Sequence, residues 1–180
     1  MSAASASDRP KTEFAPRSLE EQEKAQADGP VRFRLYLEES PLHGLGTFTR
    51  ELIHAGDAVI QCRGLVKHKD EVVEGMRALQ ISADTYLCED PDNPGMDDLI
   101  NHSCTPNLAY ADGSLMLYAI REIGIDEELT LDYSTAINEP GWKVDCHCGS
   151  AGCRGQIQSF CDLPDEERSR LRKYVLAYLR

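Results

Sequence analysis

Residues 99–107 read Leu-Ile-Asn-His-Ser-Cys-Thr-Pro-Asn, and the interpretation of the 180-residue chain starts from this stretch. It brings an amide, an imidazole, a hydroxyl, a thiol and a proline together, which is unusual for a loop that only connects two strands. An isolated Asn-His pair is more often a turn residue beside a buried, hydrogen-bonded histidine than a binding site. Here Pro106 and Asn107 complete a longer pattern, which favours a binding site.

Two more blocks follow along the chain. Residues 128–133 read Glu-Leu-Thr-Leu-Asp-Tyr, an apolar run that ends in an Asp-Tyr pair. Residues 146–155 read Cys-His-Cys-Gly-Ser-Ala-Gly-Cys-Arg-Gly, in which three cysteines and a glycine-rich bend could wrap a metal ion. A closed zinc site needs four ligands, so this cluster requires one more, for which His147 is a local candidate. Three cysteines without a metal are the alternative.

The order and spacing of these blocks resemble the SET-domain lysine methyltransferases with a zinc-binding post-SET segment, over residues 31–155. The resemblance implies a mainly β fold of short curled sheets, the β-clip fold. In this fold, the segment that ends at Tyr133 threads beneath the connection near Asn101. The implied catalytic domain spans residues 31–134, and the zinc-bound post-SET segment spans residues 135–161.

The same resemblance implies roles for individual residues. Tyr133 is the catalytic candidate. S-adenosylmethionine is expected to contact Gly44, Gly46, Tyr86, Asn101 and His102. The substrate channel is expected to include Cys62, Tyr110 and Leu131. Structural Zn²⁺ is expected to be bound by Cys104, Cys146, Cys148 and Cys153.

Two of these positions depart from the family pattern. Cys62 stands where many relatives have a channel tyrosine, and a free cysteine is usually a buried core residue. Leu131 stands where an aromatic residue often tunes how many methyl groups are added. The number of methyl groups transferred therefore cannot be read from the sequence.

The tyrosine assignment is chemically reasonable. Methyl transfer from a sulfonium ion to an amine is an in-line displacement that needs a neutral lysine, whose free pKa is about 10.4. A phenol oxygen can align the methyl group and the amine, although a tyrosine at a strand end is commonly just a half-buried aromatic residue. Tyr86 and Tyr110 offer π faces suited to an ammonium group, and for both a core position is the alternative.

Hydrophobic patterning predicts the elements around these motifs. Alternation over residues 31–37 and an apolar run at 58–60 predict strands, as does the run at 86–88. Residues 70–79 have helical spacing. Residues 1–30 hold few large apolar groups and predict a disordered tail. Residues 162–180 predict a C-terminal amphipathic helix that is capped by Asp162 and docks on the domain.

Composition limits the class of protein. The chain is 41% apolar but has no apolar run near the roughly 20 residues of a membrane span. The sequence shows no apolar core of a signal peptide, and it has an odd number of cysteines, seven. We therefore expect a soluble protein in a reducing, intracellular compartment, either the nucleus or the cytoplasm.

Charge indicates the kind of partner. The net charge of −12 is concentrated in residues 31–145, which favours a basic protein or peptide, a histone tail among them, and disfavours direct nucleic acid binding. Membrane binding is not expected. An acidic surface that only maintains solubility is the alternative.

The first functional hypothesis is a protein-lysine N-methyltransferase that uses S-adenosylmethionine. The second is a zinc-stabilised protein-binding module that keeps the fold but has lost catalysis, for which Cys62 is the warning sign.

Overall fold

The computed structural model describes residues 32–92 and 95–180. In these ranges the chain forms short strands and a single α-helix, α1 (Asp165–Leu171). The strands are β1 (Leu35–Glu39), β2 (Leu45–Thr49), β3 (Ala58–Gln61), β4 (Leu65–His68), β5 (Ala78–Gln80), β6 (Thr85–Cys88), β7 (Asn101–His102), β8 (Leu108–Ala109), β9 (Met116–Ala119), β10 (Thr130–Leu131), β11 (Lys143–Asp145) and β12 (Gln156–Gln158). The prediction of a mainly β fold of short sheets is confirmed.

The largest sheet has the strand order β3-β9-β8-β10-β7. Strand β10 pairs in parallel with β7 on one side and with β8 on the other. Residues 103–107 connect β7 directly to β8, so this connection must cross over β10. The threading expected for the segment that ends at Tyr133 is therefore present.

The hairpin of β1 and β2 is joined to the segment that leads into β10. The backbone N–H of Leu129 donates to the Thr47 carbonyl at 2.7 Å, and that of Thr49 donates to the Glu127 carbonyl at 3.2 Å. The alternation predicted for residues 31–37 is only partly correct, because Tyr36 is buried as well as Leu35. The Tyr36 ring is buried because it stacks on Phe48, with a centroid separation of 5.6 Å.

Two smaller sheets complete the fold. Strands β4, β6 and β5 form an antiparallel sheet with β6 in the centre, and β11 pairs with β12. Strands β3 and β6 confirm the apolar runs predicted as strands at residues 58–60 and 86–88. The main core lies around the five-stranded sheet, where the largest fully buried side chains are Ile53, Val59, Ile60, Leu108, Tyr110, Leu117, Ile123 and Leu129.

The helical spacing of residues 70–79 is misleading. The structure has a short 3₁₀ helix at Lys69–Glu71, a turn, and then β5. Gly75 lies in the turn with φ of +90°, which a helix does not accommodate. Val73 is 61% exposed, so the apolar residues of this stretch do not form one buried face.

The helix predicted over residues 162–180 is also too long. Helix α1 begins after Pro164, which occupies the N-cap position in place of Asp162, and ends at Leu171. Beyond it the chain forms two short 3₁₀ helices, Arg172–Tyr174 and Ala177–Leu179. The backbone N–H groups of Leu176 and Ala177 bond to the carbonyls of Thr135 and Gly113. These contacts with the rest of the protein therefore interrupt the predicted α-helix.

Two further expectations concern the ends of the chain and the membrane. The tail predicted at residues 1–30 lies outside the described residues. Within the described ranges, no helix combines the length and apolar character needed to cross a lipid bilayer.

Candidate active site and metal centre

Four cysteines from separate parts of the chain meet at one point. Cys104 lies on the connection between β7 and β8, and the other three lie between β11 and β12. The Sγ atoms of Cys104, Cys146, Cys148 and Cys153 all lie within 4.8 Å of one another. Cys146 Sγ is 3.7 Å from both Cys104 Sγ and Cys153 Sγ.

This spacing fits a tetrahedral metal ion. Zinc–thiolate bonds of about 2.3 Å separate the sulfurs of a tetrahedral site by about 3.8 Å. His147, the local alternative ligand, is exposed to solvent between two buried cysteines. The donor set is thus four thiols, with Cys104 rather than His147 as the fourth group.

Hydrogen bonds favour the thiolate at Cys148, whereas burial raises the pKa of Cys104 and of Cys146. Burial acts to raise the pKa of Cys148, but hydrogen bonds from the Cys104 backbone and from Ser150 outweigh it and lower that pKa to about 6. The Arg154 backbone N–H donates to Cys104 Sγ at 3.4 Å. Such donors stabilise the negative sulfur that a metal requires.

His102 connects the cysteine cluster to Tyr133. Burial lowers the pKa of His102 to about 4, so the ring is neutral at pH 7. Its Nδ1 accepts a hydrogen bond from the Tyr133 backbone N–H at 3.2 Å, and its Nε2 lies 3.3 Å from Cys104 Sγ. This network assigns the ring proton to Nε2, where it is donated toward the sulfur.

Asn101 holds the glycine-containing turn between β1 and β2, together with the start of β2. Its Nδ2 lies 3.1 Å from the carbonyl oxygens of His43 and Leu45 and 2.7 Å from Glu128 Oε1. Ser40 Oγ donates to the same Glu128 carboxylate at 2.8 Å. The amide therefore brings together β7, residues 40–46 and the segment that leads into β10.

The two glycines of that loop are required for different reasons. Gly44 has a φ of +54°, and a Cβ there would have open space around it. Gly46 has no such φ, but a Cβ would lie 2.2 Å from Glu128 Oε1. Gly44 thus permits the backbone turn, whereas Gly46 permits the close approach of Glu128.

Tyr133 follows β10 and opens the 3₁₀ helix Tyr133–Thr135. Its hydroxyl donates to the Ile100 carbonyl at 2.9 Å. Its ring packs edge-on against His102 with a centroid separation of 5.3 Å. The phenol is therefore held beside the strand that carries Asn101 and His102.

Cys62 and Tyr110 form a buried pair, with Cys62 Sγ 3.9 Å from the Tyr110 hydroxyl. Burial raises the pKa of both groups well above the ordinary values, so both stay protonated. Leu131 is buried in the same core cluster. The three residues expected to line the channel thus share one region, in which Cys62 is a neutral packing group.

Tyr86 lies on β6 in the three-stranded sheet, whereas Asn101 lies on β7 in the five-stranded sheet. Its hydroxyl donates to the Glu139 carboxylate. Burial, followed by that hydrogen bond, raises the pKa of Tyr86. Tyr86 therefore links the three-stranded sheet to the segment that follows Tyr133.

Three charged residues of the site did not emerge from the sequence. Glu128 bridges Ser40 and Asn101, and Arg154 makes a doubly bonded pair with Asp132. Arg154 follows Cys153, and Asp132 precedes Tyr133. Their positions next to these motif residues were the only indication in the sequence that they belong to the site. Their pairing across 22 residues of sequence could not be inferred from either motif alone.

Known proteins match the same region of the chain. The family model described as the SET domain matches residues 44–134. Over 148 residues the chain is 36% identical to "Histone-lysine N-methyltransferase, H3 lysine-4 specific" of Aspergillus fumigatus. That alignment covers 70% of this chain but 11% of the relative, so the chain spans only a small part of the curated proteins it matches.

Solved structures give the same result. The fold is similar to KRYPTONITE in complex with mCHG DNA and SAH, with a TM-score of 0.58 and 26% identity over 71% of this chain and 30% of that one. A second complex, with mCHH DNA, H3(1-15) peptide and SAH, gives a TM-score of 0.55 with the same identity and coverage. With its threaded β10 and a family model that matches residues 44–134, this chain belongs to the SET-domain family.

Proposed function

We propose that this chain is an S-adenosylmethionine-dependent protein-lysine N-methyltransferase. The observation that carries the proposal is the parallel pairing of β7 with β10. This pairing places Tyr133, which follows β10, in contact with Ile100 and His102. Membership of the SET-domain family and the methyltransferase names of its relatives support it.

In this proposal the cofactor binds beside Gly44, Gly46 and Asn101, with His102 and Tyr86 completing the set. Open space at the Gly44 Cβ position fits the approach of a ligand to the backbone. The two solved complexes of the structural relative contain SAH, the demethylated form of this cofactor. When bound, S-adenosylmethionine supplies a methyl group activated by a sulfonium charge.

Tyr133 then acts at the transfer site. Its hydroxyl is fixed by the Ile100 carbonyl, so the phenol oxygen can align the lysine amine for in-line attack on the methyl carbon. The amine lone pair forms the new carbon–nitrogen bond as the carbon–sulfur bond breaks. Tyr110, Cys62 and Leu131 line the channel and exclude water from it.

The four cysteines hold one structural zinc ion in this proposal. Their mutual spacing fits the metal, and no ligand position is left for water. The ion would supply no redox or Lewis-acid chemistry to the transfer. It would instead tie the segment between β11 and β12 to the connection between β7 and β8.

The proposed substrate is a lysine in a basic protein or peptide, with histone tails as the first candidates. The net charge of −12 favours a cationic partner. One complex of the structural relative holds an H3(1-15) peptide. Action on a histone would place the chain inside the cell. That the chain does not bind nucleic acid directly stays a prediction.

The test is transfer of a radiolabelled methyl group from S-adenosylmethionine to a panel of histones and histone peptides. We expect transfer by the wild type and a loss of about 100-fold in kcat for Tyr133→Phe, because the lost hydroxyl no longer aligns the reacting groups. Tyr118→Phe is the matched control, since that hydroxyl bonds to Asp112 away from the site.

Calorimetry with S-adenosylhomocysteine separates binding from catalysis. Tyr133→Phe should keep its affinity. If the wild type bound the cofactor but methylated no member of the panel, the binding-module hypothesis would replace the enzyme. Equal activity of Tyr133→Phe and the wild type would remove Tyr133 from the transfer site.

A further inference from the structure

Arg154 is a buried charged residue of the cysteine-rich segment. It follows Cys153, and its backbone N–H donates to Cys104 Sγ. Its side chain is 13% exposed, so the guanidinium lies inside the protein rather than on its surface. A buried cation needs a carboxylate partner in good geometry.

The nearer of its two carboxylate partners is Asp132, whose side chain is 1% exposed. Glu167 Oε2 lies farther away, 3.8 Å from Arg154 Nη1. Arg154 Nη1 and Nη2 each donate to one Asp132 carboxylate oxygen at 2.7 Å. Two parallel bonds fix the plane as well as the position of the carboxylate. Nη2 also donates to Ser134 Oγ at 3.2 Å.

Asp132 in turn shapes the backbone that carries Tyr133. Its Oδ1 accepts a hydrogen bond from the Ser134 N–H at 3.1 Å, and its carbonyl accepts one from the Thr135 N–H at 2.9 Å. These bonds define the 3₁₀ helix Tyr133–Thr135. The orientation of the Asp132 carboxylate therefore sets the direction in which the Tyr133 side chain leaves the backbone.

Another basic group does not replace Arg154 in this role. Among the residues that the structure describes, His102 is the other basic side chain within ion-pair distance of Asp132, with Nδ1 3.8 Å from Oδ1. That nitrogen already accepts the Tyr133 N–H and so carries no proton toward the carboxylate. The Arg154 guanidinium is the cation that compensates Asp132.

We propose that Arg154 is a positioning residue for Tyr133: it clamps Asp132 and thereby fixes the turn that holds the Tyr133 hydroxyl on the Ile100 carbonyl. This inference rests on the proposed function, in which Tyr133 acts at the transfer site. It gives the cysteine-rich segment a second role, because the segment aligns the active site through an ion pair as well as through its metal.

The test uses graded variants of the full chain. Arg154→Gln removes both the charge and the paired N–H donors of the guanidinium. Arg154→Lys keeps the charge but cannot donate two parallel hydrogen bonds. Arg34→Gln is the matched control, since Arg34 makes an exposed pair with Glu51. The double variant Arg154→Gln/Asp132→Asn is added because an unpaired buried carboxylate could unfold the single variant.

Fluorine NMR of protein labelled with 3-fluorotyrosine follows Tyr133, whose signal is assigned with Tyr133→Phe. Kinetics with a histone H3 peptide and metal analysis accompany it. In Arg154→Gln we expect a shifted or broadened Tyr133 signal, unchanged zinc content, and a kcat lowered by about 10- to 100-fold at constant KM. Arg154→Lys should recover part of this loss, and Arg34→Gln should match the wild type.

A Tyr133 signal and a kcat equal to those of the wild type in Arg154→Gln would overturn the proposal. Loss of zinc in that variant would also overturn it, because Arg154 would then act on the cysteine cluster. If the single variant does not fold, an unshifted signal in the double variant counts against the proposal. If the wild type transfers no methyl group, the proposed function fails, while the NMR comparison still decides the role of Arg154.

Discussion

Asp97 and Asp98 are adjacent carboxylates in the 3₁₀ helix Asp97–Leu99, directly before β7. Asp98 Oδ2 accepts a hydrogen bond from the Gly95 N–H at 2.9 Å. Burial, followed by the charge of Asp97, raises the pKa of Asp98 from its ordinary 3.8 to about 7. A carboxyl group beside the proposed cofactor segment therefore changes its charge near neutral pH.

This shift predicts a pH-dependent stability. The folded protein keeps the Asp98 proton at pH values where the unfolded chain has lost it, so Asp98 increasingly destabilises the folded state as pH rises from about 4 to about 7. Asp98→Asn removes the charge and retains an acceptor for Gly95. We expect this variant to raise the free energy of unfolding by about 1–2 kcal/mol more at pH 8 than at pH 5.5.

Urea unfolding at the two pH values measures this difference. Asp92→Asn is the control, because Asp92 is exposed to solvent and its substitution should give the same small effect at both pH values. An Asp98→Asn effect that does not grow with pH would show that Asp98 is ionised in the folded protein at pH 5.5.

At the residue scale, what could be predicted depended on local motifs. Asn101, His102 and Cys104 occur within one short stretch, so their proximity followed from the sequence. Glu128 and Arg154 were missed because their partners lie 27 and 22 residues away and the contacts exist only after β10 is inserted.

At the scale of elements, β10 has only two residues and depends on side chains to keep its place. Asn107 is fully buried. Its side chain bonds to the backbone of Glu128 and of Thr130, at the start of β10. Its Nδ2 donates to the Glu128 carbonyl at 2.7 Å, and its Oδ1 accepts from the Thr130 N–H at 2.8 Å. One amide thus replaces the ladder bonds that such a short strand lacks.

Asn107→Ala should therefore destabilise the whole domain. It leaves the N–H of buried Thr130 and the carbonyl of half-buried Glu128 without their side-chain partner, and each such loss costs about 1–3 kcal/mol. We expect a loss of about 2–4 kcal/mol in the free energy of unfolding, measured by urea denaturation.

Thr130→Val provides the comparison within the same network. It removes only the hydroxyl that accepts from the Asn107 N–H at 3.3 Å, so a loss of about 1 kcal/mol is expected. If Thr130→Val were the more damaging change, the Asn107 amide would not be what holds β10.

Element boundaries were the least predictable feature. The strands at 58–60 and 86–88 followed from apolar runs, because the residues of each run pack into a sheet. The C-terminal helix stopped early because Leu176 and Ala177 bond to carbonyls of Thr135 and Gly113, which no helical pattern reveals. The threading of β10 came from family resemblance, since periodicity carries no information about which strand lies between two others.

At the scale of the whole molecule, the cysteine cluster joins two regions that are distant in sequence. Cys104 lies 42 residues from Cys146, and the strands that follow each of them belong to different sheets. The hydrophobic cluster around the cysteines includes Tyr133 and Trp142. A metal ion here would therefore act on the position of the C-terminal segment relative to the proposed transfer site.

The zinc prediction tests this connection directly. The purified chain should carry about one zinc ion, and Cys104→Ser should lose it as completely as Cys148→Ser, because a closed tetrahedral site needs all four thiolates. Cys161→Ser is the control, since its sulfur bonds to Ser159 outside the cluster and its zinc content should be that of the wild type. In the two zinc-free variants, hydrogen exchange should accelerate in residues 141–158 while β3 and β9 stay protected. Full zinc occupancy in Cys104→Ser would assign the fourth ligand elsewhere, and the metal would then not connect the C-terminal segment to β7.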